Sequence, residues 1–564
     1  MFSGIRSRIE TFFVAVARLA LASALALSGI LLPALPAQAQ AISQARTGLL
    51  TPVATFDPLH APVASGLAPQ AVTSSYPKGA RPIHTARSAA NSLSQTPQAD
   101  SVSVNAPNAR SLLHNFNGVG SLDSGVTNFG AEFEPPDQGL CVGNGFVVEP
   151  VNSAFTIYRR NGSVVAGPFN VNVMFNEGLT EFTSDPRCYY DQATHTWFAI
   201  ILFINDAFTA ARTDIAVNTS GDPTTPWTVY HLDATDDGTN GTPSHPGCPC
   251  LGDQPLLGID QDNVYISTNE FSILGPEFNG TQLYAIAKAD LVTLTTAHFV
   301  MYENLTIAGQ PAASVQPALT NGDSPAEYLL SSLDPDGTTD NRLGVWALTN
   351  TRAVARGGTP TLSSVVINSE TYGIPPAAIQ QGSTSLLDSG DDRMQQVQYL
   401  DGELWGALGT IVTPAKDADA RAGIAWFRVR PRLNGRRIGS ARMVDQGYVA
   451  ARGNYLLYPA IQASSAGTVG LVFTLSGPNN YGSAAYAVMA EGQHSFGRIN
   501  LAAVGTGPYD PNATRWGDYS YGVLDPSSNS FWFATEYIPP QASQTADGRR
   551  NWGTRVIEVD ARTP

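Results

Sequence analysis

Four acidic residues stand in two similarly spaced pairs, and paired carboxylates are the groups that cleave glycosidic bonds. Asp253 is followed by Glu270, and Asp518 is followed by Glu536. Each pair brackets a polar start, a strand, a tight turn and a second strand. Glycoside hydrolysis requires one protonated carboxylic acid and one ionised base or nucleophile in the same pocket. The sequence therefore predicts these four residues as catalytic candidates.

The same plan recurs along the chain and indicates a repeat architecture. Residues 184–200 give a further copy, with Asp185 at its start and Trp197 in its second strand. From residue 111 onward we count seven units of short strands, with a period of roughly 50 to 65 residues. We predict an all-β fold, a β-propeller with seven four-stranded blades over residues 109–564, with six blades as the alternative.

The seventh unit has only three strands, and a spare strand precedes the first unit. Residues 112–119, LLHNFNGV, have the composition of that missing strand. We predict that they pair beside residues 554–560 as the outer strand of the last blade. Such pairing would close the ring and leave no free sheet edge.

The first strand of each blade begins near the axis of a propeller, so polar residues at these starts become neighbours. We predict an acidic cup there, with a set of ligand-binding residues: Asp137, Asp185, Asn269, Arg393, Arg515 and Tyr519. The same register adds further candidates: Asn152, Arg187, Gln316, Asp392, Arg452, Tyr458 and Asn479. A convergent polar pocket predicts ligand binding. Aspartates at such positions can instead cap backbone N–H groups, or hold a divalent cation such as calcium.

Composition narrows the class of partner. The chain has 564 residues, 14% of them charged, and a net charge of −15. Such an acidic protein is not expected to bind nucleic acid or an anionic membrane surface. The histidines have no paired spacing, which argues against a zinc hydrolase, and phosphate loops and dinucleotide fingerprints are absent from the sequence. We therefore expect no cofactor besides a cation in the cup.

The N-terminal region predicts export. Residues 1–39 carry Arg6 and Arg8, an apolar run and a small-residue cleavage site at 37–39. We predict a cleaved signal peptide, with an uncleaved membrane anchor as the alternative. Residues 40–108 are rich in Ala, Ser, Pro, Gln and Thr and are predicted to form a disordered linker. We expect a secreted or periplasmic monomer without a membrane span.

The four cysteines fit an oxidising compartment, and we expect no free thiol in the exported protein. Cys141 and Cys188 occupy matching positions in the first strands of neighbouring units, which favours a disulfide between them. Cys248 and Cys250 would then pair with each other. A soft-metal site at Cys248 and Cys250 is the alternative.

One stretch carries a family resemblance. Residues 220–227, SGDPTTPW, resemble a degenerate Asp-box, S-x-D-x-G-x-T-W, with Ser220, Asp222 and Trp227 in place. Thr224 and Pro226 replace the usual Gly and Thr. Residues 111–564 thus resemble secreted bacterial propellers of the sialidase-like superfamily. Asp-boxes mark the fold and do not catalyse.

This resemblance implies a function. Sialidases hold the substrate carboxylate with three arginines, here Arg393 and Arg515 with Arg187 or Arg452. They also use a tyrosine–glutamate pair, here Tyr519 or Tyr537 with Glu536. The F/Y-R-I-P motif of sialidases is absent from this sequence. We expect a protein that binds a polar extracellular ligand such as a carbohydrate, with a sialidase-like hydrolase and a structural or adhesive surface protein as alternatives.

Overall fold

β-Strands make up most of the chain that the computed structural model describes. The described residues are 40–41, 45–61, 96–105, 112–128, 133–179, 181–333, 339–509, 515–540 and 551–562. All of them belong to one unit of the chain, Ala39–Pro564. The predicted signal peptide lies outside the described residues. Among the described residues, no helix is long and apolar enough to span a membrane.

The strands before the repeating units are β1 (Gln40–Ala41), β2 (Ala45–Leu50), β3 (Pro52–Phe56), β4 (Gln98–Ala99) and β5 (Leu112–Gly120). Unit 1 consists of β6 (Cys141–Gly143), β7 (Phe146–Pro150), β8 (Ala154–Arg159) and β9 (Val164–Asn170). Unit 2 consists of β10 (Phe182–Asp191), β11 (Thr196–Ile204), β12 (Ala211–Asn218) and β13 (Trp227–Asp233). Unit 3 consists of β14 (Cys250–Ile259), β15 (Asn263–Ser272), β16 (Phe278–Ala287) and β17 (Ala297–Ile307), followed by the short β18 (Gln310–Pro311).

Unit 4 consists of β19 (Gln316–Asn321), β20 (Ala326–Ser332), β21 (Asp340–Thr349) and β22 (Thr361–Tyr372). Unit 5 consists of β23 (Val397–Leu400), β24 (Glu403–Pro414), β25 (Arg421–Asn434) and β26 (Arg437–Val449). Unit 6 consists of β27 (Tyr455–Ala463), β28 (Val469–Gly477), β29 (Asn480–Met489) and β30 (Asn500–Ala503). Unit 7 consists of β31 (Tyr521–Asp525), β32 (Ser530–Tyr537) and β33 (Gly553–Asp560), with β5 beside β33. The α-helices among the described residues are α1 (Ser121–Thr127) and α2 (Lys288–Val292), and the 3-10 helices are η1 (Pro58–His60), η2 (Val171–Phe175) and η3 (Thr351–Arg356).

The strands are apolar along their whole length where both faces of a unit are covered. Every residue of β11, TWFAIILFI, is buried. Trp197 and Ile201 pack in one core cluster with residues of unit 1. Phe198 and Ile200 pack in another with residues of unit 3. Since successive side chains of a strand point to opposite faces, each unit is held between its two neighbours.

The first strands of the units form an unbroken series of contacts. Each one, from β6 through β10, β14, β19, β23 and β27 to β31, contacts the first strand of the next unit. The last of them, β31, contacts β6. Strand β19 pairs in parallel with β14 and with β23. The first strands are therefore the innermost layer of the fold.

Elsewhere in this layer, glutamine side chains replace backbone pairing. Gln398 of β23 donates to the Ala463 carbonyl of β27 at 3.0 Å and accepts the Ala463 N–H at 2.6 Å. Gln462 of β27 donates to the Gly522 carbonyl of β31 at 3.0 Å. All these groups are buried, so each side chain satisfies backbone groups that water does not reach.

The N-terminal and C-terminal strands meet in unit 7. Strand β5 pairs antiparallel with β33, with Phe116 opposite Val556. The predicted pairing of residues 112–119 with residues 554–560 is thereby confirmed. Unit 1 adds a contact to the same strand, since Glu149 accepts the Val119 N–H at 2.8 Å.

Part of the predicted disordered linker forms ordered strands, and the prediction for residues 40–108 is corrected there. Strand β3 pairs with β13 and β2 pairs with β17, each at the outer edge of a unit. Strand β1 pairs with β22, and β4 pairs with β24. Outer strands expose unpaired backbone groups, and this segment covers them while burying Leu50 and Phe56. Residues 42–44, 62–95 and 106–108 of the same prediction lie outside the described residues.

Both predicted disulfides are present, and no cysteine is free. Cys141 of β6 is bonded to Cys188 of β10, with Cα atoms 5.3 Å apart. This bond joins the first strands of units 1 and 2. Cys248 is bonded to Cys250, directly before and at the start of β14.

The predicted Asp-box segment forms the turn between β12 and β13. Asp222 accepts the Thr224 N–H at 2.9 Å, and the Ser220 and Thr225 hydroxyls lie 2.5 Å apart. Trp227 is fully buried and donates from Nε1 to the Pro223 carbonyl at 2.9 Å. The segment therefore fixes the outer corner of unit 2.

The glutamine bridges give a first prediction. Gln398→Leu should lower the free energy of unfolding by about 1 to 3 kcal/mol, because it leaves the buried Ala463 N–H and carbonyl without partners. Urea unfolding followed by tryptophan fluorescence measures this change. The exposed Gln493 gives the matched control Gln493→Leu, which should be neutral. Equal stability of the two variants would contradict a structural role for the bridge.

Candidate functional site

A left-handed residue lies in the first half of the first strand in several units. The φ angles of Asp185, Gln254 and Tyr458 are 58°, 49° and 52°. Each is followed by proline, and each lies where the strand pairing shifts register, as in a β-bulge. Such backbone is uncommon for residues other than glycine and clusters at functional sites.

The bulge corrects the predicted register. Gln254, and not Asp253, is the counterpart of Asp185 in unit 3. In unit 4 the left-handed residue is Ser314 (φ 44°), not the predicted Gln316, and in unit 7 it is Gly517 (φ 52°), directly before Asp518. The added residue of a bulge shifts every later side chain by one place, which simple alternation does not anticipate.

Three aspartates from three units meet in the predicted cup. Carboxylate oxygens of Asp137, Asp185 and Asp518 lie within 4.8 Å of one another. Asn152, in the loop between β7 and β8, orients two of them. It donates to Asp137 at 2.7 Å and accepts the backbone N–H of Asp185 at 2.7 Å. The structure thus brings together these predicted residues, in a set whose oxygens suit calcium.

Two buried arginines pair with aspartates around this trio. Arg515 forms an ion pair with Asp518, and its Nε lies 3.5 Å from Asp388 Oδ2. Arg393 is paired with Asp391 at 2.6 Å. The side chains of Asp388, Asp391 and Asp518 are 31%, 18% and 23% exposed, so they form the accessible rim of the cup.

The alternatives for the third arginine and for the tyrosine lie in different surroundings. Arg187 lies over the Tyr519 ring, 3.2 Å from its centroid, and the Tyr519 hydroxyl donates to Asp185 at 3.2 Å. Arg452 is exposed. The Tyr537 hydroxyl bonds a side chain of β5. Arg187 and Tyr519 therefore belong to the cup.

Burial and mutual repulsion raise the pKa values of the acids in the cup. Burial, and next the Asp253 and Asp518 carboxylates, raise the pKa of Asp185 to about 7. Burial, and next Asp518, raise the pKa of Asp137 well above its usual value. Burial, and next Asp137, do the same to the pKa of Glu536. Like charges at close range favour protonation, so these acids hold their protons to higher pH than free carboxylic acids do.

The four predicted catalytic residues lie in two separate places. Asp253, Asp518 and Glu536 lie in or beside the cup, but Glu270 contacts His245 Nδ1 at 2.8 Å in a separate cluster between units 2 and 3. In that cluster burial, and next Glu270, raise the pKa of Asp236 to about 10. Successive residues of a strand face opposite sides, and this geometry directs Glu270 away from its neighbour Asn269.

The predicted ligand-binding residue Asn269 is bonded to Ser314 and positions the backbone there. Its Oδ1 accepts the Ser314 N–H at 2.7 Å, and its Nδ2 donates to the Ser314 hydroxyl at 2.9 Å. Units 1 and 2 are joined by the same kind of bond, in which Asn152 accepts the Asp185 N–H. In both cases an asparagine of one unit fixes the left-handed residue of the next.

Sequence reasoning missed three members of the cup: Gln254, Asp388 and Asp391. Gln254 accepts a hydrogen bond from Arg393 and carries a usable signal, because Gln254-Pro255 repeats the pattern of Asp185-Pro186. The two aspartates stand outside the strand starts, in the loop before β23, and only the fold brings them to the arginines.

No protein-family model matches the chain, and no curated protein is significantly similar to it in sequence. Several solved structures resemble it. They include a Hadza microbial sialidase (9% identity, 74% of this chain and 73% of that chain, TM-score 0.35) and an α-L-arabinanase of Penicillium chrysogenum (9%, 79% and 99%, 0.35). Another is a GH93 α-L-arabinofuranosidase of Fusarium graminearum (11%, 79% and 98%, 0.31). These TM-scores are too low to support an argument about function.

The shifted acids predict a pH dependence of stability. The pKa of Asp185 is about 7 in the folded state and 3.8 as a free group, so the folded state binds more protons between these values. The contribution of Asp185 to stability is therefore full below pH 3.8 and is lost as the pH rises to about 7. Melting temperatures of the parent should fall between pH 5 and pH 7.5, and Asp185→Asn should reduce that fall.

The control for this experiment is Asp323→Asn, at an exposed position. It should leave the pH dependence of the melting temperature unchanged. Equal melting temperatures of the parent at pH 5 and pH 7.5 would contradict the raised pKa of Asp185. A fall in melting temperature as large in Asp185→Asn as in the parent would contradict it too.

Proposed function

We propose that the chain is an exported β-propeller with seven blades, units 1 to 7, closed by β5. The series of first-strand contacts that returns from β31 to β6 supports a ring. A side-chain bond supports it too, since Gln138, just before β6, donates to the Tyr519 carbonyl at 2.9 Å. The disulfides and the predicted signal peptide support export.

The cup binds a neutral, hydroxyl-rich ligand of the carbohydrate class. The observation that carries this proposal is the convergence of Asp137, Asp185 and Asp518 with Arg393 and Arg515. Carboxylates accept hydrogen bonds from sugar hydroxyls, and guanidinium groups donate to them. An anionic sugar suits the cup less well, because both arginines are already paired with aspartates.

A purely structural role accounts for part of the cup, since Asp388 and Asp391 accept the Gly390 and Arg393 N–H groups at 3.0 Å each. Loop-capping aspartates would accept hydrogen bonds from backbone N–H groups. Within the described part of the chain, Asp137 Oδ1 has no hydrogen-bond partner. Asp185 accepts from the Tyr519 hydroxyl. These acids are therefore placed for a role beyond capping.

Glycoside hydrolysis is the second candidate, favoured by the acids of the trio. Asp185 has a pKa of about 7, which suits a general acid near neutral pH. Asp518 is paired with Arg515 at the rim and would act as base or nucleophile. Oxygens of these two groups lie within 4.8 Å of each other. Retaining glycosidases place their carboxyl groups about 5 to 5.5 Å apart.

A glycan array followed by calorimetry tests the binding proposal. The purified chain should bind at least one neutral oligosaccharide, and Asp518→Asn should weaken that binding because a charged acceptor at the rim is lost. The exposed Asp323→Asn variant serves as the control and should bind like the parent. Absence of glycan binding by the parent, or parent-like affinity of Asp518→Asn, would contradict the proposal.

Release of reducing ends from the bound glycan separates the two functions. If the protein is a hydrolase, Asp185→Asn should slow release by about 10²- to 10⁴-fold while the oligosaccharide still binds. If the protein only binds, the parent releases nothing and the bound glycan is recovered intact. Assays with chelator and with added calcium show whether a cation on the aspartate trio is needed.

A further inference from the structure

A second polar cluster lies outside the cup, between units 2 and 3. It combines Asp236 and His245, from the segment between β13 and β14, with Glu270 of β15. His245 Nδ1 lies 2.8 Å from Glu270 Oε1 and 3.7 Å from Asp236 Oδ2. One nitrogen and two carboxylate oxygens thus lie within 4.8 Å of one another. The His245 side chain is 5% exposed, and both carboxylates are 1% exposed.

The surrounding contacts orient each member of this cluster. His245 Nε2 lies 3.4 Å from Glu303 Oε2, and Glu303 is paired with Arg46 of β2. Gln282 donates to Glu270 Oε2 at 2.8 Å. Histidines that bind a metal through one ring nitrogen usually donate from the other to a carboxylate. Here Nδ1 faces the cluster and Nε2 faces Glu303.

Two buried groups beside the cluster point to a ligand. Among the described residues, the Asp236 carboxyl contacts another acid, Glu270, and accepts no hydrogen bond from an N–H or hydroxyl donor. The Tyr284 hydroxyl also has no partner in the described chain, and its side chain is 1% exposed. Asp236 and Tyr284 line the same cavity of about 360 Å³. Polar groups buried in this way are costly unless something binds them.

We infer that Asp236, His245 and Glu270 bind a first-row divalent cation of the zinc class. Imidazole and carboxylate together suit zinc or manganese, whereas calcium prefers oxygen ligands alone. Asp236 is the one of the three ligands that borders the cavity. Sites with three protein ligands commonly also take water or a substrate oxygen. The site is independent of the carbohydrate proposal for the cup.

No sequence motif marks this site because its ligands come from separate segments. Asp236 and His245 are held together by a backbone bond from the His245 N–H to the Asp236 carbonyl at 2.8 Å. Glu270 reaches them from the end of β15. No short-range spacing of the zinc-hydrolase type is involved.

Zinc titration of the full chain tests the inference. The parent, stripped with chelator and dialysed, is titrated with Zn²⁺ by calorimetry, and its melting temperature is recorded with and without the metal. We expect one equivalent to bind and the melting temperature to rise, because a ligand of the folded state stabilises it. Asp236→Asn and His245→Gln should each weaken binding at least tenfold.

If either of these variants fails to fold, a change in a residue that orients His245 still tests the inference. Glu303→Gln leaves the three ligands in place and should weaken zinc binding by about 10- to 100-fold, the usual effect of a residue that orients a ligand. His231→Gln tests the competing cluster of Glu177, Asp214 and His231, which borders the same cavity through His231. It should bind zinc like the parent.

Several results would overturn the inference. They are no zinc binding by the parent, unchanged affinity in folded variants of Asp236, His245 or Glu303, or loss of binding in His231→Gln. The titration is repeated with a reductant because Cys248 Sγ lies 3.7 Å from Glu270 Oε1. Binding that occurs only after reduction would assign the metal to the cysteines and would also refute the proposed ligand set.

Discussion

The structure depends on how the first strands of neighbouring units are joined. Splayed strands around an axis cannot all share continuous backbone pairing, and a buried backbone group must still find a partner. Two devices supply such partners, and a third joins strands covalently. Units 3 to 5 use parallel pairing through β19, units 5 to 7 use Gln398 and Gln462, and units 1 and 2 use the Cys141–Cys188 bond. The rest of each unit is built outward from this layer.

The acidic cup follows from that layer. Because the first strands converge, whatever residue begins each strand is brought close to its counterparts. The left-handed backbone at Asp137 and Asp185 sets their side chains together, and Asn152 fixes both. The repulsion between these carboxylates is reduced by protonation and by the arginines Arg393 and Arg515. Crowding these carboxylates costs stability, and it also gives the acids of the cup different pKa values. Binding sites and acid–base catalysis use acids with such shifted pKa values.

The outer strands of the units must have their backbone edges covered. Each unit ends in an outer strand with unpaired backbone groups, and such edges promote aggregation. Strands β2 and β3 cover the outer edges of units 3 and 2, and β5 completes unit 7. Arg46 of β2 also pairs with Glu303, so this covering strand contributes to the polar cluster around His245. Sequence before the repeats therefore takes part in the fold and in its second candidate site.

The sequence by itself determined the strands and their grouping into units, because these depend on local alternation and turn residues. The pairing of β5 with β33 followed from the missing fourth strand of unit 7. The sequence also placed Asp137, Asp185 and Asp518 together, since the starts of equivalent strands must converge. Only the tertiary structure established the one-residue shift at Gln254, because strand alternation does not show a bulge, although the pair Gln254-Pro255 marks its position. It alone separated Glu270 from the cup and brought it to His245, because the face that a side chain takes at the end of a strand depends on the neighbouring unit.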